Sequence, residues 1–78
     1  MSDRLIEVFA QVLNVESSAL SDDTSPDNTE LWDSLAAMDL VTSIEDTFDI
    51  PLTTREIMRM RSIGAAREVL LAKGVEGI

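Results

Sequence analysis

Leu5, Val8, Phe9, Val12 and Leu13 recur at i, i+3, i+4, i+7 and i+8, one face of an amphipathic helix. The pattern predicts a first helix over about residues 3–15, with Ser2 or Asp3 as its cap. Residues 16–32 keep no period. They are rich in Ser, Asp, Thr, Pro and Asn, the chemistry of turns. Leu20, Leu31 and Trp32 are the residues expected to pin this long loop to the core. A second helix is predicted over about residues 34–49, capped by Asp33 and ended by Pro51. Thr53-Thr54-Arg55-Glu56 has the capping-box pattern and starts a short third helix, expected to end near Arg61. Ser62 can cap a last helix with Ile63, Ala66, Val69 and Leu70 inward, and Gly74 is its stop. No stretch alternates with period two. The expected fold is all-α: a small four-helix bundle, three main helices and one short, with a long loop between the first and second. It forms a single domain over residues 1–78.

The second helix has two unlike faces. Ala37, Leu40, Val41, Ile44 and Phe48 make one stripe at 100° per residue, the core face. The opposite side carries Leu35, Met38, Asp39, Thr42, Glu45, Asp46 and Asp49. Single exposed apolar residues are common on monomers. Apolar anchors ringed by acids also describe a docking surface, where charge steers a partner and the anchors hold it.

Composition narrows the chemistry. The chain has 78 residues, with no cysteine, no histidine and no tyrosine. Thiolate nucleophiles, disulfides and the commonest general base and metal ligand are therefore excluded. A domain this small has little volume left for an enclosed active site. No catalytic residue and no metal ligand set is assigned, and the chain is not read as an enzyme. Net charge is −9. The first 54 residues hold 12 acids and one base, and the last 24 hold 3 acids and 5 bases. Such a chain repels nucleic-acid phosphates and anionic membranes and suits partners with basic patches. Self-repulsion on a thin stability margin predicts stabilisation by salt and by mild acid. Met1-Ser2-Asp3-Arg4 opens no secretory pattern, and no run of 18 apolar residues occurs, so a cytoplasmic monomer is expected.

Three further patterns carry less. Asp23, Ser25 and Asp27 alternate as in a calcium loop, but Asn28 and Ser34 stand where an EF-hand needs Gly and Glu. Met38, Met58 and Met60 read first as core fillers. Arg55, Arg59 and Arg61 read as a solvated face, pairing with loop acids.

Ser34 is different. It follows the Asp33 cap and lies in a helix's first turn, where free N–H groups and the macrodipole favour an anion. Taken alone, Asp33-Ser34-Leu35 is simply good capping sequence. Its setting says more: a long acidic loop, then Leu31-Trp32-Asp33-Ser34-Leu35, an acidic amphipathic helix ending Glu45-Asp46-x-Phe48, a short helix and a last helix. Over about residues 3–74 this resembles the acyl carrier protein family. The resemblance implies that Ser34 is the attachment point of 4′-phosphopantetheine, moved from coenzyme A by a Mg²⁺-dependent phosphopantetheinyl transferase. It implies Asp33 and Leu35 as the flanks that enzyme reads. Leu35, Met38, Asp39, Glu45 and Asp46 are implied as the docking helix for enzymes that load and process the acyl group. The arm's thiol would import the sulfur that the chain lacks.

The chain departs from the patterns usual in that family in two places. Arg55, Arg59 and Arg61 stand where fatty-acid carriers usually keep acids, and Leu31-Trp32-Asp33 stands where peptidyl carriers usually show paired glycines before the serine. Trp32 and residues 25–29 look like those of free-standing carriers in specialised pathways, including D-alanyl carriers. The rival reading is a small acidic helical adaptor that binds a basic partner and is never modified.

Overall fold

The computed structural model describes residues 3–76 and 78. Among these the order is α1 (Arg4–Leu13), a 3₁₀ turn (Ser17–Ala19), α2 (Ser34–Phe48), α3 (Thr54–Arg59) and α4 (Ile63–Ala72), with no strand. Ser2, one of the two proposed caps for α1, lies outside the described residues. Asp3 does the capping: its Oδ1 accepts the N–H groups of Leu5 and Ile6 at 3.1 and 3.2 Å.

The predicted inward stripes meet in one core, except that Val41 of α2 is only half-buried and lines an open groove instead. Leu5, Phe9, Leu40, Ile44, Ile63 and Leu70 are all but inaccessible, and α1, α2 and α4 each contribute two of them. Burying each such side chain contributes roughly 1.5–3 kcal/mol. The start of α1 lies against the end of α2, where the Arg4 guanidinium stacks 5.0 Å from the Phe48 ring centre. The short α3 buries none of its own residues. It is held instead by its capping box and by Glu56, whose carboxylate accepts from Nζ of Lys73, the residue after α4, at 2.9 Å.

Three helix ends differ from expectation. α1 stops at Leu13 because Asn14 turns left-handed (φ 57°), and the N–H groups of Asn14 and Val15 close back on the Ala10 carbonyl. α2 stops at Phe48 in the same way, with Asp49 at φ 53°. The left-handed cap, one residue ahead of the Ile50-Pro51 pair, ends the helix, and proline only follows it. α3 ends at Arg59, two residues before the expected Arg61. Gly74, at φ 93°, terminates α4 as expected.

The long loop is ordered by hydrogen bonds onto α4. The Thr24 carbonyl accepts the Ile63 N–H at 3.0 Å, and the Asp22 carbonyl accepts the Gly64 N–H at 2.9 Å. Ser62 Oγ accepts from Ala65 N–H. Three N–H groups at the start of α4 are thus satisfied by the loop and its cap. Trp32 is buried as expected and packs edge-on against Phe9, with ring centres 5.0 Å apart. Leu20 is half-buried against the core. Leu31 is not pinned: it is 51% exposed, because adjacent residues of a turn cannot both face inward.

The basic residues behave differently from expectation. Among the described residues Arg55, Arg59 and Arg61 make no ion pair with the loop acids. Arg67 does so, reaching Asp3 at 2.7 Å and Asp22 at 2.8 Å. It bridges the start of α1, the loop and α4.

Candidate functional site

Trp32, anchored on Phe9, fixes the chain two residues before Ser34. Asp33 then takes an extended conformation, and its Oδ1 accepts the Ala36 N–H at 2.9 Å. Its carbonyl accepts the Ala37 N–H at 2.9 Å. Ser34 is the first residue of α2 and is exposed. Among the described residues no acceptor lies on the Ser34 or Leu35 N–H groups, in contrast to the filled start of α4. An anion bonded to Ser34 Oγ would lie beside these donors and the positive end of the helix dipole.

The outer face of α2 continues from Ser34. Leu35 and Met38 are 73% and 72% exposed, and Asp39 and Asp46 are exposed beside them. Glu45 differs: it is half-buried, and its Oε2 accepts the Leu52 N–H at 2.8 Å, tying the α2–α3 loop to α2. The structure therefore brings Ser34, Leu35, Met38, Asp39 and Asp46 onto one accessible surface, with Glu45 turned towards the loop.

Besides Leu71 of α4, which is half exposed, two exposed apolar residues nearer the site were missed from sequence. Leu31 flanks the entry to α2, and Met58 of α3 is 70% exposed, whereas Met60 alone of the three central methionines is a buried filler. The signal for Met58 was its place on a helix too short to bury a face, whose C-cap, Met60, is the residue that turns inward. Ile57, Ala37, Met38, Val41 and Thr42 line an open groove of about 320 Å³ between α2 and α3.

The calcium-like loop closes on itself. Asn28 Oδ1 accepts the Ser25 N–H at 3.0 Å, Ser25 Oγ accepts the Asp27 N–H at 3.2 Å, and Asn28 Nδ2 donates to the Asp23 carbonyl at 2.8 Å. Among the described residues no three carboxylates gather as a metal site.

A profile of the family described as a phosphopantetheine attachment site matches residues 3–70. The chain belongs to the acyl carrier protein family. Its fold is similar to that of the holo acyl carrier protein from Geobacter metallireducens, with a TM-score of 0.81 and 30% identity, covering 91% of this chain and 82% of that one. No curated protein sequence matches the chain. As a carrier of this family the protein is not an enzyme, and its cofactor is a covalently attached 4′-phosphopantetheine. The residues present fit that group: an exposed hydroxyl on a buttressed helix start, with unused N–H donors alongside.

Proposed function

We propose that Ser34 carries the 4′-phosphopantetheine arm and that the protein delivers acyl groups to partner enzymes of a specialised biosynthetic pathway. When attached, the arm supplies a thiol that holds the cargo as a thioester. The observation that carries the assignment is the exposed Ser34 hydroxyl at the Asp33-capped start of α2, two residues from the buried Trp32. Asp33 and Leu35 are the flanks that a phosphopantetheinyl transferase would read. Leu35 and Met38 would act as apolar anchors, and Asp39, Glu45 and Asp46 would steer basic surfaces of the loading and processing enzymes. Net charge supports a soluble monomer acting in the cytoplasm, away from nucleic acid. Among the described residues no helix is long and apolar enough to cross a membrane.

The test is intact mass after incubation with coenzyme A, Mg²⁺ and a broad-specificity phosphopantetheinyl transferase. Wild type should gain one phosphopantetheine. Ser34→Ala should gain none, while its melting temperature stays within about 4 °C of wild type. A wild type left unmodified by a competent transferase would return the unmodified adaptor to favour. A modified Ser34→Ala would move the attachment elsewhere.

A further inference from the structure

The chain has 6 bases, and half of them are committed to its own fold. Arg4 stacks on Phe48, Arg67 holds Asp3 and Asp22, and Lys73 holds Glu56. Arg55, Arg59 and Arg61 are exposed, and among the described residues none of them makes an ion pair. Arg55, Met58 and Arg59 lie within an arc of about 100° around α3. The outer face of that helix therefore presents an apolar side chain, 70% exposed, beside two guanidinium groups. Arg59 also lines an open cleft against Ala65, Glu68, Val69 and Ala72 of α4. The cleft holds about 140 Å³, roughly four or five water-sized groups, which is the bulk of one leucine side chain. Arg59 and Ile57 stand about 160° apart around α3, so the cleft opens on the other flank of the helix from the α2–α3 groove.

We propose that this α3–α4 face is a second docking surface, opposite in sign to α2, whose occupant is an acidic segment of a partner protein with one aliphatic side chain seated in the cleft. Charge complementarity carries the choice. The chain itself leaves these three arginines unpaired, and a guanidinium grips a carboxylate through two parallel bonds. Of the two acids on α3 and α4, Glu56 is spent on Lys73, and Glu68 alone faces the three bases. The net charge of −9 does not bar the approach, because physiological salt screens exposed charges beyond about 8 Å. A second copy of this chain or an anionic bilayer would bring a large negative surface against the whole molecule. A short segment meets only the basic face. The two docking faces are then independent, so a basic enzyme surface on α2 and an acidic segment on α3–α4 can be held at once.

The probe is a fluorescein-labelled helical peptide of about 14 residues, with a leucine on each turn of one face and glutamates flanking them. A twin with lysine in place of every glutamate is the control. Anisotropy measures affinity for the full-length unmodified chain, and amide shifts in its heteronuclear NMR spectrum locate the site. The glutamate peptide should shift the amides of Arg59, Ala65, Val69 and Ala72 and leave those of Leu35 and Met38 in place. The lysine peptide should leave the first four unmoved. Arg55→Gln, Arg59→Gln and Arg61→Gln together should weaken binding about tenfold or more, and about 0.5 M NaCl should do the same to wild type. Ala72→Gln crowds the exposed cleft without changing charge and should weaken binding about threefold or more. A glutamate peptide that fails to bind at about 1 mM, or that shifts α2 instead, would overturn the proposal. So would equal binding by the triple variant, or by Ala72→Gln. Self-association of the chain alone, lost in the triple variant, would give the face to a second copy instead. Binding to phosphatidylglycerol vesicles, lost in the same variant, would give it to a membrane. The peptide pair and the salt series on wild type decide the matter even if a variant does not fold, and their failure leaves the Ser34 assignment standing.

Discussion

Asp33 has two separable duties at the start of α2. Its carboxylate caps the helix through Ala36 N–H, and its charge and position flank the proposed attachment serine. Asp33→Ala should cost about 1 kcal/mol of cap energy, lowering the melting temperature by roughly 4–8 °C. Asp33→Asn keeps an acceptor oxygen and should melt near wild type. If the transferase reads the charge, Asn should still slow modification, measured as the rate of mass gain. Equal rates for Asn and wild type would leave Asp33 a cap alone. Caps such as Asp3, Asp33, Thr53 and Ser62 were legible in the sequence because their bonds reach only two or three residues ahead. Gly64 was not. A Cβ there would sit 3.1 Å from the Asp22 carbonyl oxygen, the group that accepts the Gly64 N–H. That close approach joins loop to helix across the fold, and no local pattern announces it. Gly64→Ala should force the Asp22 carbonyl back by a few tenths of an ångström and strain the loop's bonds to α4, a cost set against alanine's better helix propensity and read as a lower melting temperature.

At the scale of the helix, the division of α2 into a core stripe and an outer face was legible because helical periodicity alone sorts the residues. Its finer use was not. Glu45 and Asp46 look equivalent as neighbouring acids, yet Glu45 holds the Leu52 N–H and Asp46 faces water. Charge reversal should separate them. Asp39→Lys and Asp46→Lys should leave melting nearly unchanged and slow association with the transferase most at low salt. Glu45→Lys should slow association and also lower the melting temperature, since it leaves a half-buried N–H without its acceptor. Leu35→Ala and Met38→Ala should act mainly on dissociation. Stopped-flow binding at two salt concentrations tests all of this. A Glu45→Lys that melts like wild type would show that the loop does not depend on that bond. Leu31 and Met58 escaped the sequence reading because hydrophobicity was taken as burial, and only packing decides which of two adjacent apolar residues turns inward.

Across the whole molecule the acidic first part and the basic last part are joined by Arg67, which the guanidinium's bonds to Asp3 and Asp22 hold firmly charged. The same guanidinium holds the Asp3 carboxyl below the usual carboxylate range, and Lys73 does so for Glu56. A carboxylate whose folded pKa is depressed contributes stability above its unfolded pKa, which disappears as pH falls through the folded value. For Asp3 and Glu56 that window lies below about pH 4. Between neutrality and about pH 5 both pairs stay ionised, and the net charge of −9 governs the response. The two effects therefore separate by pH. Melting temperature should hold or rise from pH 7 to about 5 as self-repulsion eases, then fall steeply below about 4 as the Arg67 and Lys73 pairs are lost. Asp3→Asn should flatten part of that acid limb at the expense of stability at pH 7. Added NaCl should raise the melting temperature at pH 7, because screening acts on the repulsion of exposed acids more than on the short Arg67 contacts. The check is thermal melting from pH 3 to 8 at low and high salt. A melting temperature that falls with NaCl at neutral pH would show that attraction through Arg67 and Lys73, and not acidic repulsion, sets the electrostatic balance of this fold.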